Sequence, residues 1–232
     1  MSLRNISNPA GSSLPDVRTI ELTLADLDRM VELERATWPP GMRASREVIA
    51  RRLEMDHGTI GLETNGELIG MVASRFARFD PDDRDAFPAN HDAFANQPHE
   101  PGHNAAFVYT LQALPVARGY GVPQQLMLAG RKYTLDAGCY YVVGDARCAS
   151  YNGSENTGTE RIRQNPRFQA AVREAVKTGQ LPALEELIRD PVLRFYHRVL
   201  MCTFAWVIPD YFPDDEPSGG HGIIFYNEYP PE

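Results

Sequence analysis

Leu111-Gln112-Ala113-Leu114-Pro115-Val116-Ala117-Arg118-Gly119-Tyr120-Gly121-Val122-Pro123 joins two unlike stretches of chain. Before it, Ala105 to Leu114 is a mostly apolar run suited to a buried strand. After it, Val122, Leu126, Ala129, Tyr133 and Ala137 recur at steps of four, three, four and four, which is one face of a helix that Gly138 ends. The turn Arg118-Gly119-Tyr120-Gly121 therefore lies where a buried strand gives way to a helix N-terminus. The first N–H groups of a helix have no intrahelical partner, and the helix dipole adds partial positive charge there. Glycine lets the backbone approach a bound group closely, so the amides of Gly119, Tyr120, Gly121 and Val122 can converge on phosphates. Pro123 removes one donor, at an early helical position where proline is otherwise welcome. Arg118, Arg131, Lys132 and Arg147 make a local basic cluster suited to the same phosphates. Taken alone, such a turn is as readily a plain capped turn; its placement between strand and helix is what gives it meaning.

Working outward, Val17 to Leu22 reads as a strand, and Thr23 with Asp26 three residues on marks a helix start. That helix runs to about Thr37. Its apolar stripe of Leu27, Met30, Val31 and then Trp38 includes Glu34, whose carboxylate is therefore expected to face inward. A second helix starts at Ser45 and ends before His57-Gly58, with Ile49 and Leu53 on its buried side. Thr59 to Glu63 and Leu68 to Phe76 read as strands joined by the hairpin signal Asn65-Gly66. Residues 79–104, rich in Pro, Asp, Asn and His without a sustained period, read as one long loop. Tyr140 to Gly144 is the next strand. Residues 152–189 read as an insertion with two short helical segments, Phe168 to Lys177 and Leu181 to Arg189. Asp190-Pro191 then opens a helix through about Met201, and Thr203 to Val207 and Gly222 to Tyr226 are the closing strands. Residues 1–15 read as a loose tail and 16–232 as one domain.

This order of elements resembles the GNAT family of acyl-CoA-dependent N-acetyltransferases over nearly the whole of Val17 to Tyr226. The quoted stretch is similar to that family's strand-to-helix signature of Arg or Gln, two residues, Gly, one residue, then Gly or Ala. Arg118 and Gly121 match it, and Pro123 departs from it. The resemblance implies an α/β fold with a mixed, mainly antiparallel sheet flanked by helices, here with a helical insertion before the last helix. It implies acetyl-CoA, or another acyl-CoA, as co-substrate and no metal. CoA would be held by Arg118, Gly119, Tyr120, Gly121 and Val122, with the strand backbone at Leu111 and Ala113 beside the thioester. Asp190 to Tyr196 is similar to the family's helix ending in an aromatic-Tyr pair, which makes Tyr196 the general acid. A phenol of pKa near 10 is reasonably matched to a departing thiolate whose conjugate acid has a pKa of about 8.5. Arg189, where many relatives have Asn, and Leu200-Met201, in place of Gly-Phe, are departures. More narrowly, Trp38-Pro39, the long loop, Arg147 with Tyr151, the inserted helices and Tyr211 to Asp215 resemble a bacterial subgroup of the family. Some members of that subgroup are fused to carbon-nitrogen hydrolase domains.

The mechanism so implied is direct attack of an amine on the thioester, with the acceptor a small amine or an amino terminus. An alkyl ammonium must first lose a proton, so a base is needed. Many relatives carry a Glu on the strand before the glycine turn; Val108-Tyr109-Thr110-Leu111 has none. Glu34 is the substitute that periodicity favours, and Asp145 the next, with an ion pair to Arg147 as the other reading of Asp145. Asp80, Asp82, Asp83, Asp85, Asp92 and Glu100 in the long loop could draw a cationic amine, or simply be solvated. His91, His99 and His103 there match no metal-ligand spacing. A net charge of −8 and the absence of any basic run argue against nucleic acid. No segment reads as a signal peptide or membrane span, and three cysteines without CxxC spacing fit a reducing cytoplasm. Two other readings stand beside the enzyme: a catalytically silent CoA-binding sensor or interaction module, and an unrelated α/β protein whose glycine turn holds a nucleotide. The insertion would cover the acceptor site or form a contact between two copies, as in a homodimer.

Overall fold

The computed structural model describes residues 16–117, 119–147, 166–178, 180–215 and 218–229. Seven strands form one sheet among them: β1 Arg18–Glu21, β2 Gly58–Thr64, β3 Glu67–Ala77, β4 Ala105–Ala113, β5 Tyr141–Arg147, β6 Thr203–Ile208 and β7 Gly222–Glu228. Their spatial order is β1-β2-β3-β4-β5-β7-β6. Every neighbouring pair is antiparallel except β4 and β5, which run parallel because a helical crossover joins them. That crossover is α4, Val122–Asp136.

Side-chain alternation along β3 separates the two faces of the sheet. Met71, Ala73 and Ala77 point to the face covered by α1 (Leu27–Thr37), α2 (Arg46–Glu54) and the segment 79–104. Val72 and Phe76 point to the face covered by α4. Farther along the second face, α5 (Pro166–Thr178), α6 (Leu184–Leu187) and α7 (Pro191–Arg198) cover the β5-β7-β6 end through Ala146, Leu193, Ile223 and Phe225. Among the described residues no helix is long and apolar enough to cross a membrane.

Most sequence-based elements stand within a residue or two of their expected bounds. Asn65 and Gly66 both take positive φ, at 51° and 80°, as a two-residue hairpin turn requires. The Thr23 signal caps a 3-10 turn, Leu24–Asp26, before α1 proper begins. β5 runs three residues beyond the expected Gly144, because β7 continues to pair with it as far as Arg147. The second inserted helix is only Leu184–Leu187, since Pro182 disfavours helical geometry at Leu181. α7 stops at Arg198 rather than Met201: Met201 turns left-handed at φ 59°, and Cys202 N donates to Tyr196 O at 3.0 Å.

The largest correction concerns 79–104. This segment is fastened to the core and contains α3, His91–Ala95. Phe79, Phe87 and Phe94 are buried with Phe107, Tyr211 and Ile224. Arg75, only 1% exposed, projects from β3 beneath the segment; its Nε donates to Phe94 O at 2.6 Å and its Nη1 to Glu100 Oε1 at 3.2 Å. Isolated aromatics spaced along polar sequence carry no period, which is why pattern reading passed over them.

Candidate active site

β4 and β5 pair only from Ala105↔Tyr141 to Val108↔Gly144. Beyond that point β4 continues to Ala113 against β3 alone, and β5 continues to Arg147 against β7 alone. The sheet is therefore open in its middle. At the same point Ala73 pairs with Thr110 and Ser74 with Val108, so Tyr109 is an extra, bulged residue on β4. A bulge bends its strand and increases the local twist, here taking β4 away from β5. Leu114 N donates to Ile69 O on β3 at 2.8 Å. Strand alternation then aims the N–H groups of Leu111 and Ala113 the other way, into the opening.

The glycine turn stands at the α4 end of this opening. Gly119 and Gly121 have φ of 85° and 72°, a left-handed geometry that costs other residues about 1–2 kcal/mol. Gly121 is the N-cap of α4 and Pro123 follows in its first turn. The N–H groups of Gly119, Gly121 and Val122 donate to no backbone carbonyl of the described residues, whereas Tyr120 N is taken up by Ala117 O at 3.3 Å. Tyr120 N thus shapes the turn, and the acceptor that would lie three or four residues before Gly121 and Val122, at residue 118, is outside the described residues. Arg118 lies outside the described residues. The rest of the basic cluster does not gather at the turn: the Arg131 guanidinium sits 4.2 Å from the centre of the Tyr229 ring, Lys132 pairs with Asp136, and Arg147 pairs with Asp215.

Tyr196 approaches the opening on the α4 face. Its ring stacks on Phe225 at 4.1 Å, and Phe225 is the β7 partner of Gly144, the last β5 residue paired to β4. Phe225 lies so close that a Cβ on Gly144 would stand 2.4 Å from it. A glycine at the end of the ladder is therefore what allows the Phe225–Tyr196 stack there. Burial first, and the charge of Asp145 second, push the Tyr196 phenol well above its ordinary pKa of 10. The match to a thiolate expected for an unperturbed phenol is therefore looser in the structure.

On the opposite face the bulge turns both Tyr109 and Thr110 toward α1 and α2, where they line a small cavity with Glu34, Arg52 and Thr59. It has room for about one water molecule. Glu34 is buried as its periodicity required, but both carboxylate oxygens are engaged. Oε1 accepts from Ala44 N at 2.8 Å and Oε2 from Gln112 Nε2 at 2.7 Å. Gln112 also donates to Thr110 Oγ1 at 3.2 Å and accepts from the Thr37 hydroxyl at 2.5 Å. The polar pair Thr110 and Gln112, at alternate positions of a mostly apolar strand, was the available sign of this network. Arg52 lies over Tyr109 at 4.6 Å and donates through Nε to Asn96 Oδ1 at 2.9 Å. Burial lowers its pKa against the opposing influence of Tyr109, Glu34 and Asp92. Beside it, His57 bonds Tyr109 Oη at 3.3 Å and Gln97 O at 2.9 Å, and burial drives its pKa down to about 4.

Asp145, the first β5 residue past the paired segment, does not pair with Arg147. Neighbouring residues of a strand point to opposite sides, so 145 and 147 share a face, yet their partners come from different loops. Asp145 Oδ2 accepts from His91 Nδ1 at 2.6 Å, while Asp215 binds Arg147 through both oxygens. Tyr211, wholly buried, brings its hydroxyl beside Asp145, whose charge raises the phenol's pKa after the larger effect of burial. His99 and His103 serve the segment itself: His99 Nδ1 accepts from Phe76 N at 2.8 Å, and His103 Nδ1 lies 3.1 Å from Glu100 O. Among the described residues no group of three His, Cys, Asp or Glu side chains is placed to hold a metal ion.

A mixed sheet opened between its parallel pair, a bulge at the opening and a glycine-led helix behind it define the GNAT acyl-CoA N-acyltransferase fold, and this chain has that fold. No family model and no curated protein matches the sequence. Among solved structures, the loading GNATL domain of CurA from Lyngbya majuscula is similar at 19% identity and a TM-score of 0.67, covering 92% of this chain and 98% of that one. The GphF GNAT-like decarboxylase in complex with isobutyryl-CoA is similar at 24% identity and a TM-score of 0.66, covering 91% and 98%. The ribosomal-protein-S18-alanine N-acetyltransferase from Escherichia coli is similar at 12% identity and a TM-score of 0.55, covering 94% and 96%.

Proposed function

We propose that this chain is an acyl-CoA-dependent N-acyltransferase that moves an acetyl or other acyl group to a small primary amine or an amino terminus. The observation that carries the reading is the open interval between β4 and β5, with the glycine turn and the N-terminus of α4 at one end and Tyr196 at the other. CoA lies in that interval as an added strand would, its pyrophosphate on the turn and its thioester carbonyl near the N–H groups of Leu111 and Ala113. The neutral amine attacks the carbonyl carbon, the positive nitrogen so formed gives up one proton to a base or to water, the C–S bond breaks, and the sulfur leaves with its electron pair as thiolate. Tyr196 Oη–H gives the sulfur its proton and is reprotonated from solvent. With its pKa raised by burial, that transfer runs uphill unless the phenolate is replenished as it forms, so Tyr196 acts as a relay rather than a free acid. Glu34, bonded on both oxygens, would act only through a water admitted to the cavity. The free thiols of Cys139 and Cys202 agree with a reducing cytoplasm. Trp38-Pro39 and Arg147 support the bacterial subgroup as part of the same proposal.

A second reading is favoured by the higher TM-score to the GphF decarboxylase than to the Escherichia coli N-acetyltransferase, and by the absence of a carboxylate on β4 past its bulge. There the substrate is an acyl-CoA bearing a free carboxylate, which leaves as CO2 while the thioester stays whole. Products separate the two. Purified protein with acetyl-CoA and a panel of amines is expected to release free thiol above the protein-free rate. CO2 release from malonyl-CoA without thiol release would replace the first reading by the second, and tight CoA binding with neither product would identify a silent CoA-binding module.

A further inference from the structure

We propose that His91, oriented by Asp145, is the base that takes the proton from the incoming amine; this rests on the acyl-transfer reading above. The dyad's place is the first support. Asp145 follows the last β5 residue paired to β4, so its side chain stands at the throat of the opening, on the sheet face opposite Tyr196. His91 is brought there by α3, whose N-cap Asn90 accepts from Ala93 N at 2.8 Å, and by its own N–H, which donates to Tyr211 O at 3.0 Å. Three segments far apart in sequence thus converge on one imidazole.

The protonation pattern is the second support. An ionised carboxylate can only accept, so the 2.6 Å contact to Asp145 Oδ2 places a hydrogen on His91 Nδ1, and the neutral ring then carries its lone pair on Nε2. Nε2 has no hydrogen-bond partner among the described residues, and the ring is 27% exposed while the carboxylate beneath it is 5% exposed. The bases nearest the small cavity and the α2 end of this face are committed elsewhere. Glu34 accepts on both oxygens, and His57 and His99 use both ring nitrogens within the protein. In the step proposed, an amine proton passes to His91 Nε2, the nitrogen lone pair forms the bond to the thioester carbon, and the imidazolium is held by Asp145 until it returns the proton to solvent. Asp145 is a positioning residue: it fixes the tautomer and the ring plane.

A buried carboxylate–imidazole contact could instead serve only to hold α3 to the sheet, so the test reads more than activity. A long-range proton–nitrogen NMR spectrum of the wild type is expected to show His91 as the Nδ1–H tautomer, and Asp145→Asn is expected to shift it toward Nε2–H. His91→Ala should lower kcat/KM for the amine at least about 100-fold, leave the Kd for CoA within about twofold, and recover part of the rate with added imidazole. An Nε2–H tautomer in the wild type, or turnover in His91→Ala equal to the wild type, would overturn the proposal while sparing the acyl-transfer reading. A wild type that binds CoA but releases thiol with no amine would overturn both.

Discussion

On the α4 face of the sheet, most of what shapes the opening is contiguous in sequence, a strand, its glycine turn and the helix that follows, and only the Tyr196–Phe225 stack comes from farther along the chain. On the other face the same opening is lined by side chains that arrive from α1, α2, α3 and β5, each held by partners tens of residues away. The first face presents mostly backbone donors, which suit a ligand of fixed chemistry such as a pyrophosphate. The second presents Glu34, Arg52, Thr110, His91 and Asp145, where a change of residue type changes what can be bound or deprotonated. A fold that keeps one face local and the other assembled can retain its cofactor while its acceptor side varies.

The contrast can be broken most forcefully at Arg75, which ties the segment 79–104 to β3. Arg75→Met leaves Phe94 O and Pro98 O without their donor and removes a buried cation from the Phe107 ring, 5.1 Å away. Denaturant melts should show a loss of about 3–5 kcal/mol, with CoA affinity reduced far less than stability, because the turn belongs to the other face. Tyr196→Phe tests the local face: kcat should drop about 100-fold with the Kd for acyl-CoA little changed and the stack on Phe225 kept. An unchanged kcat would remove Tyr196 from the chemistry.

Next in size is the pH response of the assembled face. Folded protein keeps His57 neutral down to about pH 4, whereas an unfolded chain protonates it near 6.5, so the unfolded state binds the extra proton first as pH falls. Stability present above pH 6.5 should therefore decline by roughly 2–3 kcal/mol between 6.5 and 4, and His57→Gln should flatten that slope. The smallest effect is expected at the turn: Gly121→Ala forces a side chain into left-handed backbone, costing about 1–2 kcal/mol, and should weaken CoA binding more than it lowers the melting temperature.

What was legible in the sequence follows the same division. The glycine turn, the α4 stripe, the Asn65-Gly66 hairpin and the inward face of Glu34 all rest on spacing within one element or one turn, and each stands in the structure. Spacing could not show that Glu34 would spend both oxygens on Ala44 and Gln112, because those partners lie 10 and 78 residues away. Nor could it show that Asp145 would meet His91, 54 residues upstream, in place of Arg147 two residues on. The bulge at Tyr109 is set by pairing with β3, and no residue of β4 announces it. Depth and partnership are tertiary quantities, and periodicity reports only direction.

The central claim is that the opening between β4 and β5 receives an acyl-CoA. Calorimetric titration of wild-type protein with acetyl-CoA, run in parallel with Gly121→Ala and with a Leu111→Pro variant that removes a strand donor, tests it most directly. The account expects saturable one-to-one binding by the wild type, weakened in both variants while they remain folded by circular dichroism. Absence of binding by folded wild type, or binding indifferent to both substitutions, would contradict it.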